Sequence, residues 1–133
     1  MAELYELHAQ PNLREPLLIV TLEGWIDAGL GAAAAVAALL GAVPTELVAT
    51  FDADNLLDHR ARRPVMRIVD GVNSLLMWPE IQVRSGRAAN GQDILFLVGP
   101  EPDHQWRAFA VAASRAASAD PAPSEAPSSS FAQ

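Results

Sequence analysis

Three short segments carry the residue types from which a binding or catalytic site could be built. Gly24-Trp25-Ile26-Asp27-Ala28-Gly29 follows an apolar run and opens an uncharged, Ala-rich stretch. That is the position in α/β folds where free helix amides gather anions. Its spelling is not a G-x-G-x-x-G fingerprint, and Asp27 places negative charge where a phosphate would sit. The alternative is structural: Gly24 and Gly29 permit a tight turn, Trp25 packs at the sheet rim, and Asp27 caps a helix. Asp58-His59-Arg60-Ala61-Arg62-Arg63-Pro64 concentrates cations in an acidic chain. Arg60, Arg62 and Arg63 could clamp a carboxylate, a phosphate or a partner's acidic segment. Equally, Asp52, Asp54, Asp58 and Asp70 are close enough in sequence to neutralise them internally. The third segment, Gly99-Pro100-Glu101-Pro102-Asp103-His104-Gln105-Trp106, sets two carboxylates and an imidazole just past an apolar run. Glu101 and Asp103 could serve as acid and base, with His104 as a second base. Or the prolines shape a turn, Asp103 caps a helix and Trp106 buries its face.

None of these segments completes a catalytic constellation, so no residue is assigned a catalytic role. There is no G-x-S-x-G elbow, and His8, His59 and His104 lack metal-ligand spacing; no metal or cofactor is expected. Cys is absent and all 9 basic residues are Arg, which removes thiol nucleophiles, disulfides, Schiff-base lysines and the P-loop lysine. A net charge of −7 repels duplex nucleic acid and anionic membranes, so neither is an expected partner. Met1 to Gln10 has no basic n-region, and the uncharged stretch Ala28 to Val43 is too short and Ala-rich for a membrane span; a cytoplasmic protein is expected.

The elements that must position these segments follow from the apolar pattern. Leu17 to Leu22 and Asp93 to Val98 are continuous apolar runs, which predicts two central strands covered on both faces and neighbouring or nearly neighbouring in one sheet. A helix follows Asp27 to about Leu40, with Gly41 as its left-handed cap, packing its Ala-rich surface on the sheet. Glu46 to Phe51 predicts a strand parallel to the first. A short helix runs from Leu56 to about Arg62. Val65 to Val69, Ser74 to Trp78 and Ile81 to Arg84 are strands at hairpin spacing, broken by Asp70-Gly71 and Pro79. A last helix runs from Asp103 to about Arg115. The expected fold class is therefore α/β with a mixed, largely parallel central sheet over residues 1–117, and Gly24, Asp27, Glu101 and Asp103 at one rim. Residues 118–133, dominated by Ala, Ser and Pro, are expected to be a disordered tail whose loss leaves stability unchanged.

Taken together, in order and each at a strand end, Glu23 to Gly29, Asp58 to Pro64 with Asp70-Gly71, and Gly99 to Asp103 with Trp106 and Phe109 resemble the proteasome-assembly-chaperone-like family, in particular its actinobacterial branch. The resemblance runs from about Leu4 to Ala113. It implies a three-layer sandwich similar to the nucleoside phosphorylase and peptidyl-tRNA hydrolase architectures, and oligomers. In eukaryotes, similar proteins pair to guide assembly of proteasome α-subunits. Family chains are longer, so this one is expected to be the N-terminal part of a longer fold, a truncated copy with uncovered apolar surface and a tendency to self-associate. The leading expectation is a non-enzymatic assembly-chaperone-like or scaffolding protein with protein partners. The alternative is a small-molecule protein, for a nucleoside or acidic metabolite, or a hydrolase-like enzyme.

Overall fold

A computed structural model describes residues 4–24 and 30–118. The expectations for Trp25, Asp27, Gly29 and the tail beyond residue 118 lie outside the described residues. The chain is a mixed α/β protein with the element order β1 (Tyr5–Leu7), β2 (Leu17–Glu23), α1 (Gly31–Ala42), β3 (Thr45–Phe51), α2 (Ala53–Leu56), β4 (Val65–Val69), β5 (Val72–Met77), β6 (Gln82–Arg87), β7 (Asp93–Pro100) and α3 (Trp106–Ala117).

Five strands form the main sheet in the order β1-β3-β6-β7-β2, and β4 and β5 form a separate two-stranded hairpin. The two apolar runs do lie side by side: β2 pairs with β7 in parallel, Leu17 opposite Ile94 through Glu23 opposite Pro100. Every other pair in the sheet is antiparallel, so the sheet is mixed, as expected, but not largely parallel. β2, β3 and β7 nevertheless point the same way, because antiparallel β6 is inserted between β3 and β7.

β7 meets the expectation of burial, with Asp93 to Leu97 all buried, whereas β2 does not. It is an edge strand with Leu17, Leu18 and Val20 each more than two-fifths exposed. An apolar run encodes a need for cover on both faces; it does not encode which neighbour supplies it. α1 tells the same story. Its Ala-rich sequence favours helix, yet it contains no buried residue, so its expected close packing on the sheet is corrected. The helix also runs through Gly41, and the residue that ends it, Val43, is extended.

The larger core lies on the sheet face that carries Val48, Val83, Leu95 and Leu97, closed by Phe109, Ala112 and Ala116 of α3. These three follow the i, i+3, i+7 stripe of an amphipathic helix. Phe51 stacks in tilted contact on Phe109 at 5.1 Å and on Tyr5 at 6.0 Å. A smaller cluster on the opposite face joins Val43, Ile94 and Phe96, with Ile19 and Leu40 against it.

Candidate functional site

Because β2, β3 and β7 run in one direction, the loops that leave their carboxyl ends collect at one rim of the sheet. Two pairs of expected site residues meet there. After β2, Gly24 lies so close to the loop after β7 that a Cβ on it would stand 2.8 Å from the Glu101 carboxylate. The Glu101 N–H donates to the Glu23 carbonyl at 2.8 Å, which extends the β2–β7 ladder by one step into the loops.

The second meeting joins the arginine-rich segment to the loop after β7. Asp103 is not a helix cap: α3 starts later, from Gln105 in a left-handed conformation (φ 57) with no side-chain cap. Its carboxylate instead accepts from the Asp58 backbone N–H at 2.8 Å and from Arg62 Nε at 3.1 Å. The Arg62 and Asp103 side chains are only 18% and 20% exposed. The backbone of the loop adds to this anchor, since the N–H groups of Asp103 and His104 both donate to the Leu56 carbonyl at the end of α2. Pro102 between the two loops is fully buried. The short helix expected over Leu56 to Arg62 is displaced to Ala53–Leu56, capped by Asp52, and the cation-bearing residues follow it as turns.

The remaining charges divide by exposure. Asp58 accepts from the Arg60 backbone N–H at 2.9 Å and from Arg60 Nε at 3.4 Å. That backbone donor is the leading cause of an Asp58 carboxyl held below its ordinary value of 3.8. The Arg60 side chain itself is 93% exposed. Arg63 is exposed and reaches back to the Arg60 carbonyl at 3.4 Å. His59 Nε2 lies 3.2 Å from Asp54, its Nδ1 is buried with no hydrogen-bond partner among the described residues, and its ring edge meets Trp78 at 5.1 Å. His104 is exposed. Trp106 is half exposed, with its ring edge on Phe109, and does not bury its face as expected. The neutralising partner of Arg62 is thus Asp103, 41 residues away, and none of the neighbouring aspartates.

Chemically, the rim engages Asp103 through Oδ2, which accepts from two donors. Of the three arginines in this segment, Arg60 and Arg63 keep exposed side chains. Among the described residues, no group of three or more His, Asp or Glu side chains is placed to hold a metal. No described helix is long and apolar enough to cross a membrane.

A second charged cluster, at the opposite end of β7, escaped the sequence reading. Buried Asp93 accepts from the Arg14 backbone N–H at 2.8 Å and from Arg87 Nε at 3.0 Å. These donors, Arg14 first, lower its carboxyl below the ordinary 3.8. A signal was present: Asn90-Gly91 marks a turn between β6 and β7, and closing it sets Arg87 opposite Asp93.

Outside these clusters the described surface near β2 is apolar. A groove of about 450 Å³ runs between β2 and α3, lined by Leu18, Val20, Leu95, Leu97, Ala110 and Ala113 among others.

Comparison with known proteins gives this arrangement a family. A search of curated proteins finds no match. Among solved structures, a Corynebacterium glutamicum protein of unknown function superposes with a TM-score of 0.76 at 31% identity, covering 88% of this chain and 46% of that one. A Mycobacterium tuberculosis protein of unknown function gives the same TM-score at 39% identity, covering 85% and 42%. A M. tuberculosis proteasome-assembly chaperone homologue matches with a TM-score of 0.65 at 32% identity, covering 74% and 43%. The chain spans less than half the length of each of these relatives. The family model for the PAC2 family matches residues 21–119, a span that takes in Gly24, the arginine-rich segment and β7 with the loop that follows it, and the chain belongs to the PAC2 family.

Proposed function

We propose that this chain is a protein-binding, assembly-chaperone-like scaffold that works in the cytoplasm and associates with other polypeptides through its apolar surface. The observation that carries the reading is the exposure of Leu17, Leu18 and Val20 on an edge strand, beside a helix that is apolar all round and yet unburied. A helix of that composition belongs against another apolar surface, and an edge strand with free backbone groups pairs readily with another strand. Membership of the PAC2 family and 32% identity to a proteasome-assembly chaperone homologue supply the kind of partner. The domain reading is residues 1–117 as an α/β unit equivalent to the N-terminal part of the longer solved relatives. Further polypeptide over β2 and α1 would complete a three-layer, nucleoside phosphorylase-like sandwich. Helix α3 against one sheet face, and Leu40 of α1 beside the smaller cluster on the other, support that architecture.

The test is direct. The purified chain is mixed with separately purified actinobacterial proteasome α-subunits, and assembly is followed by native electrophoresis and light scattering. A complex containing this chain, or a changed rate of ring or half-proteasome formation that Val20→Glu abolishes, is the expected result. No complex and an unchanged rate overturn the reading. So does a melting-temperature rise with nucleosides or phosphates that is lost on substituting Glu101, since a ligand specific for the native state raises stability by mass action.

A further inference from the structure

At the end of β7 away from the rim, the polar end of the sheet faces a cavity. Its volume is about 430 Å³, within the range of small-molecule pockets, and Leu13, Glu46, Ser85, Arg87 and Asp93 are among the residues that line it. Strand register explains why these groups share it. Glu46 of β3 pairs with Ser85 of β6, and Arg87 of β6 pairs with Asp93 of β7, so all four side chains stand on one face of the sheet. That face carries the larger core, which ends at Val83 and Leu95, with Leu13 packed at its border. Beyond it the row is polar. Both oxygens of buried Asp93 are engaged, Oδ2 by the Arg14 N–H and Oδ1 by Arg87 Nε. The bond to Nε draws the Arg87 guanidinium toward β7, while the side chain as a whole stays 68% exposed. Glu46, also exposed, is the diagonal neighbour of Arg87, about 7 Å from it at Cβ in a regular antiparallel pair. The guanidinium nevertheless pairs with Asp93 and not with Glu46. Ser85 between them is only 7% exposed, and its hydroxyl makes no hydrogen bond to a described residue. A polar group so placed calls for a partner.

We propose that this cavity binds a free α-amino acid with a short aliphatic side chain. The ligand's ammonium group meets Glu46, its carboxylate meets the Nη groups of Arg87, and the Ser85 hydroxyl donates to that carboxylate. Its side chain rests on Leu13 and Pro44. The groups that the protein does not itself consume select this chemistry. They are one anion, one hydroxyl and one cation, side by side on neighbouring strands. A phosphate or a dicarboxylate would meet Glu46 and Asp93 as well as Arg87, and a simple amine would leave the guanidinium unused. A zwitterion matches both poles. Being neutral overall, it also approaches a chain of net charge −7 without the repulsion that an anion meets.

The full chain is titrated with L-valine, and the amide resonances of Ser85 and Arg87 report binding. Isobutylamine and 3-methylbutanoate serve as comparison probes, each being valine with one pole removed. Valine is expected to saturate the shifts with a Kd of about 1 mM or below, and each one-pole probe to bind about tenfold more weakly or worse. Glu46→Gln weakens valine by about tenfold and Ser85→Ala by about threefold, the rest of the amide spectrum staying that of the wild type. Should Ser85→Ala lose its fold, Glu46→Gln decides the matter, since that position is exposed. The absence of saturable shifts up to about 20 mM valine overturns the proposal. Equal binding of valine and either one-pole probe does so too, because the site would then read a single charge. Valine binding that Glu46→Gln leaves unchanged also overturns it, by placing the ligand elsewhere. The site does not depend on the assembly role: valine binding by a chain that ignores proteasome subunits retains this inference and overturns the preceding one.

Discussion

Replacing Asp103 by Ala tests whether the rim charges are internal structure or an open site. The substitution removes the acceptor of two donors, the Asp58 N–H at 2.8 Å and Arg62 Nε at 3.1 Å. Orphaning a shielded backbone N–H costs about 1–3 kcal/mol. Stranding a buried cation costs about 3–5 kcal/mol when the pair is fully dry. About a fifth of each side chain is exposed, so water relieves part of the second cost, and Arg62 Nη2 already lacks a partner among the described residues. A total near 3 kcal/mol follows for Asp103→Ala. Arg62→Ala removes the cation but leaves Asp103 holding the Asp58 N–H, and should cost about 1–2 kcal/mol. The double variant should then cost less than the two added together, by about 1.5 kcal/mol of coupling. Urea denaturation at constant m measures all four proteins. If Asp103→Ala lies within about 0.5 kcal/mol of wild type and adds independently to Arg62→Ala, the pair anchors nothing, and both groups are free for a ligand.

Other outcomes follow from local geometry. Gly99 has φ 133°, and a Cβ there would meet the Glu80 carbonyl and stand 2.8 Å from Ile81 Cα. Gly99→Ala should therefore cost about 2–5 kcal/mol, from backbone strain and overpacking, while Gly71→Ala, with φ 77° and open space, costs about 1 kcal/mol; equal midpoints in urea would contradict this. Ala35 is exposed on α1, so Ala35→Leu should leave the melting temperature within about 2 °C, and a large loss would mean that α1 is packed after all. Asp93 has a folded pKa below its ordinary 3.8, so its stabilisation is complete above that value and disappears as pH falls through the lower folded one. Asp93→Asn should flatten the acid limb of the stability curve below about pH 4; superimposable limbs would refute the assignment.

What the sequence made legible was local. The Asp70-Gly71 turn, the strand of residues 65–69 and the two apolar runs as strands all rest on patterns within a few residues, and each is present. Asp103 was misread because a capping residue at the right offset looks the same whether it caps or reaches elsewhere. The left-handed Gln105 delays α3, and Asp103 turns to a donor 45 residues back in the chain. β6 was read as a continuation of the hairpin, since hairpin spacing gives no sign that β6 leaves it for the main sheet between β3 and β7. The rim itself was foreseen for Gly24 and Glu101 because loops after parallel strands share an end. Asp93 was missed for the opposite reason: an acidic residue at a strand start is ordinary, and only the β6–β7 register brings Arg87 to it.

On the proposed scaffold reading, the placement of charge also bears on how a partner would be recognised. Arg62 is committed to Asp103, Arg87 to Asp93, and Arg84 to Thr45 and Gln82, so much of the small cationic complement is tied to the chain's own acceptors. The carboxylates left over make the general surface acidic, while the hairpin and the β2 edge are nearly free of charge. Apolar burial is worth roughly 25 cal/mol per Å², but much of it is offset by the lost freedom of the docked bodies. Affinity then depends on how closely the partner's shape closes over these strands. The acidic remainder works by exclusion, repelling like-charged surfaces and leaving the uncharged strands as the places where contact is least opposed.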